Sequence, residues 1–184
     1  MNIFEENLYK NKLLFNELGS VYINELSTLV VSDLHLGKGI SFMKDGYPIP
    51  PFDTNETLFN LEKTISFFSP ETVISLGDSF HKNDSLAKIN DAILKRINLL
   101  EKKYRFLWIL GNHDNHLNNK KRLSGIIKPY YKKQKFFFRH IKKDSSKNSN
   151  FEFSGHFHPK YILKHNGVYH NYKCFVLGKN FCIL

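Results

Sequence analysis

The sequence predicts an α/β fold, a sandwich of sheets with helices packed outside, in one domain over residues 1–184. Three observations carry that expectation. Through about residue 110, short β-branched apolar runs alternate with segments whose apolar residues recur at helical spacing. Beyond that point the helical period disappears, and short strand-like runs follow one another. Each of the first three apolar runs also ends in metal-capable side chains, in "SDLH", "LGDSFH" and "LGNHD". Ligands outside the carboxyl ends of strands are the usual arrangement in α/β sheets.

The elements follow in order. "STLVVSD" reads as a buried strand. After the loop "YPIPPFD", Asp53 followed by Glu56 has the spacing of a capping box that opens a helix. Leu58, Leu61, Ile65 and Phe68 form that helix's apolar stripe, and Pro70 stops it. "ETVISLGD" is a second buried strand. Leu86, Ile89, Ile93, Ile97 and Leu100 mark a second helix, and "YRFLWILGNHD" a third strand. In the second half "KQKFFFRH", "NFEFSGH", "PKYILKH" and "KCFVLGKNFCIL" are each expected to be a strand, and "KKDSSKNSN" a loop. No internal repeat is visible.

With 41% apolar and 15% aromatic residues, the composition is that of a globular chain rather than a disordered one. No apolar run approaches the roughly 18 residues of a membrane span. The opening "MNIFEENLYK" has acids where a secretory leader carries positive charge, so the expected location is cytoplasmic. Cys174 and Cys182 are too few for a disulfide framework and lack C-x-x-C spacing, and are read as reduced thiols. Charge is the uneven quantity. Residues 118–147 hold eleven Lys/Arg and one acid, which equals the whole chain's net charge of +10. A/T-rich codon usage would raise lysine throughout but would not confine it to one segment. Interleaved with Tyr130, Tyr131 and Phe136 to Phe138, this block suits a polyanionic partner such as nucleic acid.

The chemistry concentrates at four places. On an extended chain, side chains two apart point the same way, so Asp33 and His35 can reach one point just beyond their strand. His156 and His158 in "SGHFHP" repeat that spacing. Gly77 and Gly111 let the backbone turn and approach closely what is bound there.

The order D-x-H, G-D, G-N-H-D and G-H-x-H resembles the calcineurin-like metallophosphoesterases. Within them, "VSDLHLGKG", "PPFDT", "LGDSFH" and "SGHFHPKY" are similar to the bacterial ligase-associated DNA-damage-response endonuclease (phosphodiesterase) branch. The likeness runs from about Val21 to the C-terminus. It implies a four-layer αββα sandwich with a dinuclear metal centre. By motif, Asp33, His35 and His158 would hold one ion, Asn112, His140 and His156 the other, and Asp78 would bridge them. A nitrogen and oxygen set without sulfur suits Mn²⁺ first, with Fe²⁺ or Zn²⁺ as alternatives. His113 would be the general acid, with Asp114 holding its imidazole in the right tautomer. Lys38 would touch phosphate, and His81 would support the site without ligating. After His140 this branch continues with an acid and a proline where this chain reads "HIKKD". Relatives also continue past "NFCIL" into a glycine-rich tail, so the last strand is expected to be shortened.

The expected function is metal-dependent phosphodiester hydrolysis on DNA, in repair, beside a DNA ligase or helicase and away from membranes. An alternative keeps the metals but hydrolyses a small nucleotide or nucleotide-sugar phosphoester. A non-catalytic scaffold on the same fold is disfavoured, because every ligand and the catalytic histidine are present. The basic segment lies between the ligands Asn112 and His156, so Lys132, Lys133 and Lys135 are expected to hold phosphates flanking the reacting one.

Overall fold

The computed structural model describes residues 1–47, 52–82, 85–114, 117, 122–143 and 150–184. The prolines of "YPIPP", His116, Lys120, Lys121, Lys147 and most of "KKDSSKNSN" lie outside these residues.

The chain opens with strands β1 (Ile3–Leu8), β2 (Asn11–Asn16) and β3 (Val21–Ile23), followed by β4 (Thr28–Val31). Helices α1 (Lys38–Lys44) and α2 (Asp53–Phe68) precede β5 (Thr72–Ser75). Then come α3 (Ser85–Lys88), α4 (Asp91–Lys103), β6 (Arg105–Ile109) and β7 (Ile126–Lys128). Strands β1 to β7 make one seven-stranded sheet in sequence order. It is antiparallel from β1 to β4 and parallel from β4 to β7. Parallel pairing aligns the exits of β4, β5 and β6 at one end of the sheet.

The second half builds a five-stranded sheet from β8 (Tyr131–Lys133), β9 (Phe136–Phe138), β10 (Phe151–Ser154), β13 (Val176–Leu177) and β14 (Phe181–Ile183). Here β9, β10 and β14 run parallel. Between β10 and β13, β11 (Lys160–His165) and β12 (Val168–Lys173) pair only with each other.

Two apolar layers hold these parts. Between the sheets, Leu13, Val30, Ile74 and Leu107 of the first meet Phe136, Phe138, Phe151 and Phe153 of the second, all fully buried. On the other face of the first sheet, Leu29, Val73 and Trp108 pack against Leu58 and Ile65 of α2 and Ile93 and Ile97 of α4. These central strands are buried on both faces, which is why they read as unbroken apolar runs. Helix, sheet and sheet form three of the expected layers among the described residues. Outside the second sheet, among the described residues, lies the segment 139–143, where Arg139 sits 4.1 Å over the Phe137 ring and Lys142 4.7 Å over Phe181.

Four local expectations change. Asp53 is the first residue of α2 rather than its cap, and its carboxylate accepts from the Gly39 N–H at 3.0 Å, joining α2 to α1. The second helix is two helices, because the Asn90 side chain accepts from Ile93 N–H at 2.9 Å and starts α4 afresh. "KCFVLGKNFCIL" spans the end of β12 and two antiparallel strands, β13 and β14. Residues 168–172, given no element by their pattern, form most of β12. Asn166 and Gly167, with φ of 49° and 80°, make the two-residue turn before it.

Candidate metal centre

Strand β4 ends at Val31, so Asp33 and His35 do not converge by strand alternation as the sequence suggested. They sit in the turn beyond it, with φ of 51° and 45°. Asp78, His156 and His158 are also left-handed, with φ of 46°, 74° and 44°. Among the described residues eleven non-glycines have positive φ, and five of them are these. Each such conformation costs of order 1 kcal/mol or more, and persists only where the surroundings over-determine it.

Here the surroundings are the neighbouring loops. Asp33 N–H donates to Gly77 O at 3.2 Å, and His35 N–H to Asp78 O at 3.0 Å. His113 N–H donates to Asp78 Oδ1 at 2.9 Å, and His156 N–H to Asp33 Oδ2 at 3.0 Å. Gly155 N–H donates to His140 O at 2.9 Å. Two glycines admit these contacts. A Cβ on Gly111 would lie 2.2 Å from Asp78 Oδ1, and one on Gly155 would lie 1.7 Å from Ser32 Oγ and 2.4 Å from Asp33 Oδ2.

The result is two adjoining groups of ligand atoms. Asp33, His35 and His158 each offer one atom within 4.8 Å of one another, and Asp78, His140 and His156 do the same. Asn112 joins the second group, its Oδ1 lying 2.9 Å from His140 Nε2. The seven residues named from the sequence are thus brought together. His156 and His158, two apart, divide between the groups.

The donor set fits divalent ions. Asp33 Oδ1 and His35 Nδ1 are buried with no hydrogen-bond partner, the condition of atoms shaped for a cation. Burial lowers the His35 imidazole to about 4, against the pull of Asp33 and Asp78, so its nitrogens stay available as ligands. Burial alone would raise the Asp78 carboxyl. Hydrogen bonds from His140 and the His113 N–H outweigh it and hold the group at about 2. At His140 the burial penalty is in turn outweighed by Asp78, and its pKa rises. The Asp78–His140 contact, at 3.2 Å, therefore favours an ionised carboxylate beside a protonated imidazole. His140 Nδ1 lies 2.8 Å from Leu76 O, which orients the ring and turns Nε2 toward Asp78 and Asn112.

Around the ligands, His113 is half-exposed, with Nε2 3.9 Å from Asp78 Oδ2. Its ring stacks on His81 at 6.2 Å and stands edge-on to His35 at 5.9 Å, so His81 borders the site. Burial and the nearby Lys38 ammonium lower the His81 pKa. Lys38 is thereby placed at the same rim.

Two expectations are corrected. Asp114 does not face the His113 imidazole. It is fully buried, and its oxygens accept from the N–H groups of Gly111, Ser79 and Phe80 at 3.1, 3.2 and 3.3 Å, bracing the β5 and β6 loops. Lys132, Lys133 and Lys135 are not beside the ligands either. Lys133 Nζ donates to Leu26 O at 3.1 Å, next to the start of β4. Asp33 lies past the other end of that strand, on the order of 15 Å away at the usual strand rise.

Ligand-bearing loops at the exits of parallel strands, in an α/β sandwich with paired nitrogen and oxygen sets, define a metal-dependent hydrolase. Residues 26–180 match the family model described as calcineurin-like phosphoesterase. The chain belongs to that family, and is a hydrolase of phosphoesters. The crystal structure of Pseudomonas putida nuclease MPE superposes with a TM-score of 0.77 at 22% identity, covering 99% of this chain and 85% of that one. The E. coli phosphoesterase YfcE gives a TM-score of 0.42 at 18% identity over 78% of this chain and 76% of that one. No curated protein matches by sequence. No helix among the described residues is long and apolar enough to cross a membrane.

Proposed function

We propose that the protein is a dinuclear-metal phosphodiesterase acting on nucleic acid, a DNA endonuclease of the ligase-associated repair branch. The observation that carries this reading is the pair of adjoining ligand groups, with Asp33 Oδ1 and His35 Nδ1 buried and without a hydrogen bond. Asp33, His35 and His158 would hold one ion and Asn112, His140 and His156 the other, with Asp78 between. Bound there, two divalent ions supply a Lewis-acid clamp on the phosphate oxygens and a lowered pKa for water. The set suits manganese first, then iron or zinc.

The chain's own residues do the rest. His113 stands at the exposed rim, where its imidazole can protonate the leaving oxygen. The hydrogen bond from its N–H to Asp78 Oδ1 fixes the loop that carries it. Asp114 sets the distance between that loop and the β5 loop by binding amides of both. Lys38 adds positive charge at the rim. That the well-superposing structure is of a nuclease supports a nucleic-acid substrate, as does the net charge of +10. A small nucleotide substrate is the second reading. It draws on the displacement of the basic turn from the ligands.

The test is metal reconstitution followed by assay on DNA, bis-(p-nitrophenyl) phosphate and a panel of nucleotides. About two Mn²⁺ ions per chain with hydrolysis of both diesters is the expected result. Two bound ions without hydrolysis of any diester would overturn the reading.

A further inference from the structure

The β11–β12 ribbon is the one paired element of the chain, among the described residues, that belongs to neither large sheet, and all its residues from Lys160 to Lys173 are exposed. Six large apolar or aromatic side chains stand on it in water, with Tyr161, Ile162 and Tyr169 at 60, 61 and 65% exposure. An isolated two-stranded ribbon is marginal in water, and apolar groups gathered this densely on a surface mark a binding site.

The register sorts the side chains into two faces. Directly opposed residues share a face, and the faces alternate along each strand. Tyr161 opposes Tyr172, Leu163 opposes His170, and His165 opposes Val168. On the other face Lys160 opposes Lys173, Ile162 opposes Asn171, and Lys164 opposes Tyr169. One face is therefore aromatic and apolar, with His170 stacked on Tyr172 at 6.2 Å. The other carries three lysines. No acid occurs between Lys160 and Lys173.

The ribbon is rooted at the metal centre. Lys160 is two residues past His158, and Cys174 N–H donates to Pro159 O at 3.2 Å, closing the ribbon's base. Lys173 lines a polar cleft of about 180 Å³ together with Ser32, Asp33, Thr57, Asn60 and Thr64. The lysine face thus leads to a cleft containing a metal-ligand candidate.

We propose that this ribbon holds a single-stranded stretch of nucleic acid beside the metal centre, with bases stacked on the Tyr161–Tyr172 face and phosphates on the lysine face. A strand lying along the ribbon's edge can present bases to one side and backbone to the other. Aromatic stacking tolerates any base, and lysines track the phosphates. A second copy of the chain fits less well, because it would oppose three lysines with three more and bring no acid. The inference rests on the phosphodiesterase reading of the site and adds where the polymer lies.

The experiment measures anisotropy of a labelled, hydrolysis-resistant phosphorothioate oligothymidylate on the full manganese-loaded chain. Tyr161→Ala/Tyr172→Ala should weaken binding by about tenfold or more. Lys160→Gln/Lys164→Gln should weaken it and flatten the log–log salt slope by about 0.7 per lysine. In both, loss on the oligonucleotide should exceed any loss on bis-(p-nitrophenyl) phosphate. Wild-type affinity in either pair overturns the proposal, as does tighter binding to a duplex of equal length. A dimer in light scattering that the variants dissolve, with oligonucleotide affinity unchanged, also overturns it and gives the ribbon to a second copy. If the wild-type chain hydrolyses no diester, the phosphodiesterase reading falls by itself. The binding measurement, which needs no turnover, still decides the ribbon's role.

Discussion

At the exits of β4, β5 and β10, the backbone is left-handed at five metal-ligand candidates, and buried polar atoms stand without hydrogen-bond partners. At the opposite end, the β8–β9 turn holds Lys132, Lys133 and Lys135 in ordinary hairpin geometry, and Lys133 is tied to Leu26 O and Thr28 Oγ1. Both ends are polar. The far turn has a single left-handed residue, Gln134 with φ of 55°, whereas the first end gathers five around buried atoms without hydrogen-bond partners, and that contrast separates a candidate site from a surface. Charge density alone would point to the other end.

The sharpest way to break the comparison is Asp78→Ala. Its carboxylate meets His140 of the second group and acts on the charge of His35 in the first, so its loss should disturb both ligand groups together. Activity should fall well beyond the 10–100-fold typical of outer-shell changes, with metal content below two per chain by elemental analysis. Tight retention of both ions would show that Asp78 is not the bridge. His113→Gln should come next, slowing turnover by about 10²–10⁴-fold with metal content retained. Because nitrophenolate leaves without needing a proton, the loss should be smaller on bis-(p-nitrophenyl) phosphate than on DNA. An equal loss on both substrates removes the acid role.

Asp114→Ala sharpens the contrast through stability. Three buried N–H groups would lose their acceptor, costing about 3 kcal/mol or more in denaturant unfolding, and Asp114→Asn should cost less. A change under about 1 kcal/mol would mean that the braced loops are held otherwise. The smallest effect belongs to the far end. Lys132→Gln/Lys133→Gln/Lys135→Gln should leave binding of a short oligonucleotide within about twofold, with stability down by about 1 kcal/mol at most. A large fall in affinity would show that the substrate reaches across the whole molecule.

The four ligand motifs were legible because metal chemistry is written in residue type and short spacing. Asp33, His35, Asp78, Asn112, His140, His156 and His158 were all nameable before any geometry. The core strands were equally plain, since burial on both faces leaves runs such as "LVV" and "TVIS" unbroken. What failed were arguments from chain proximity. Asp114 adjoins His113 in sequence, but the turn sends its carboxylate to three amides instead. The basic segment is tethered between two ligands, yet β8 and β9 carry its lysines to the other end of the sheets. Of the ribbon, "PKYILKH" marked β11, and β12 was missed for a different reason. Its "VYHNYK" has too few apolar residues to show an alternation. Asn166-Gly167 was the available signal, being the pair that a tight hairpin turn selects.

The contacts at Gly111 and Gly155 have a consequence for how such a site can change over generations. The space that a side chain would fill at Gly111 is occupied by Asp78, and at Gly155 by Ser32 and Asp33. A methyl group on one loop is therefore an injury to a ligand on another. Drift at a glycine cannot be repaired within its own motif, because the obstructing atoms are needed elsewhere. The loops after β5 and β6 must then be inherited together, and so must those after β4 and β10. A lineage that loses one of them loses the reason to keep the other three, and decay of this centre should be abrupt rather than gradual.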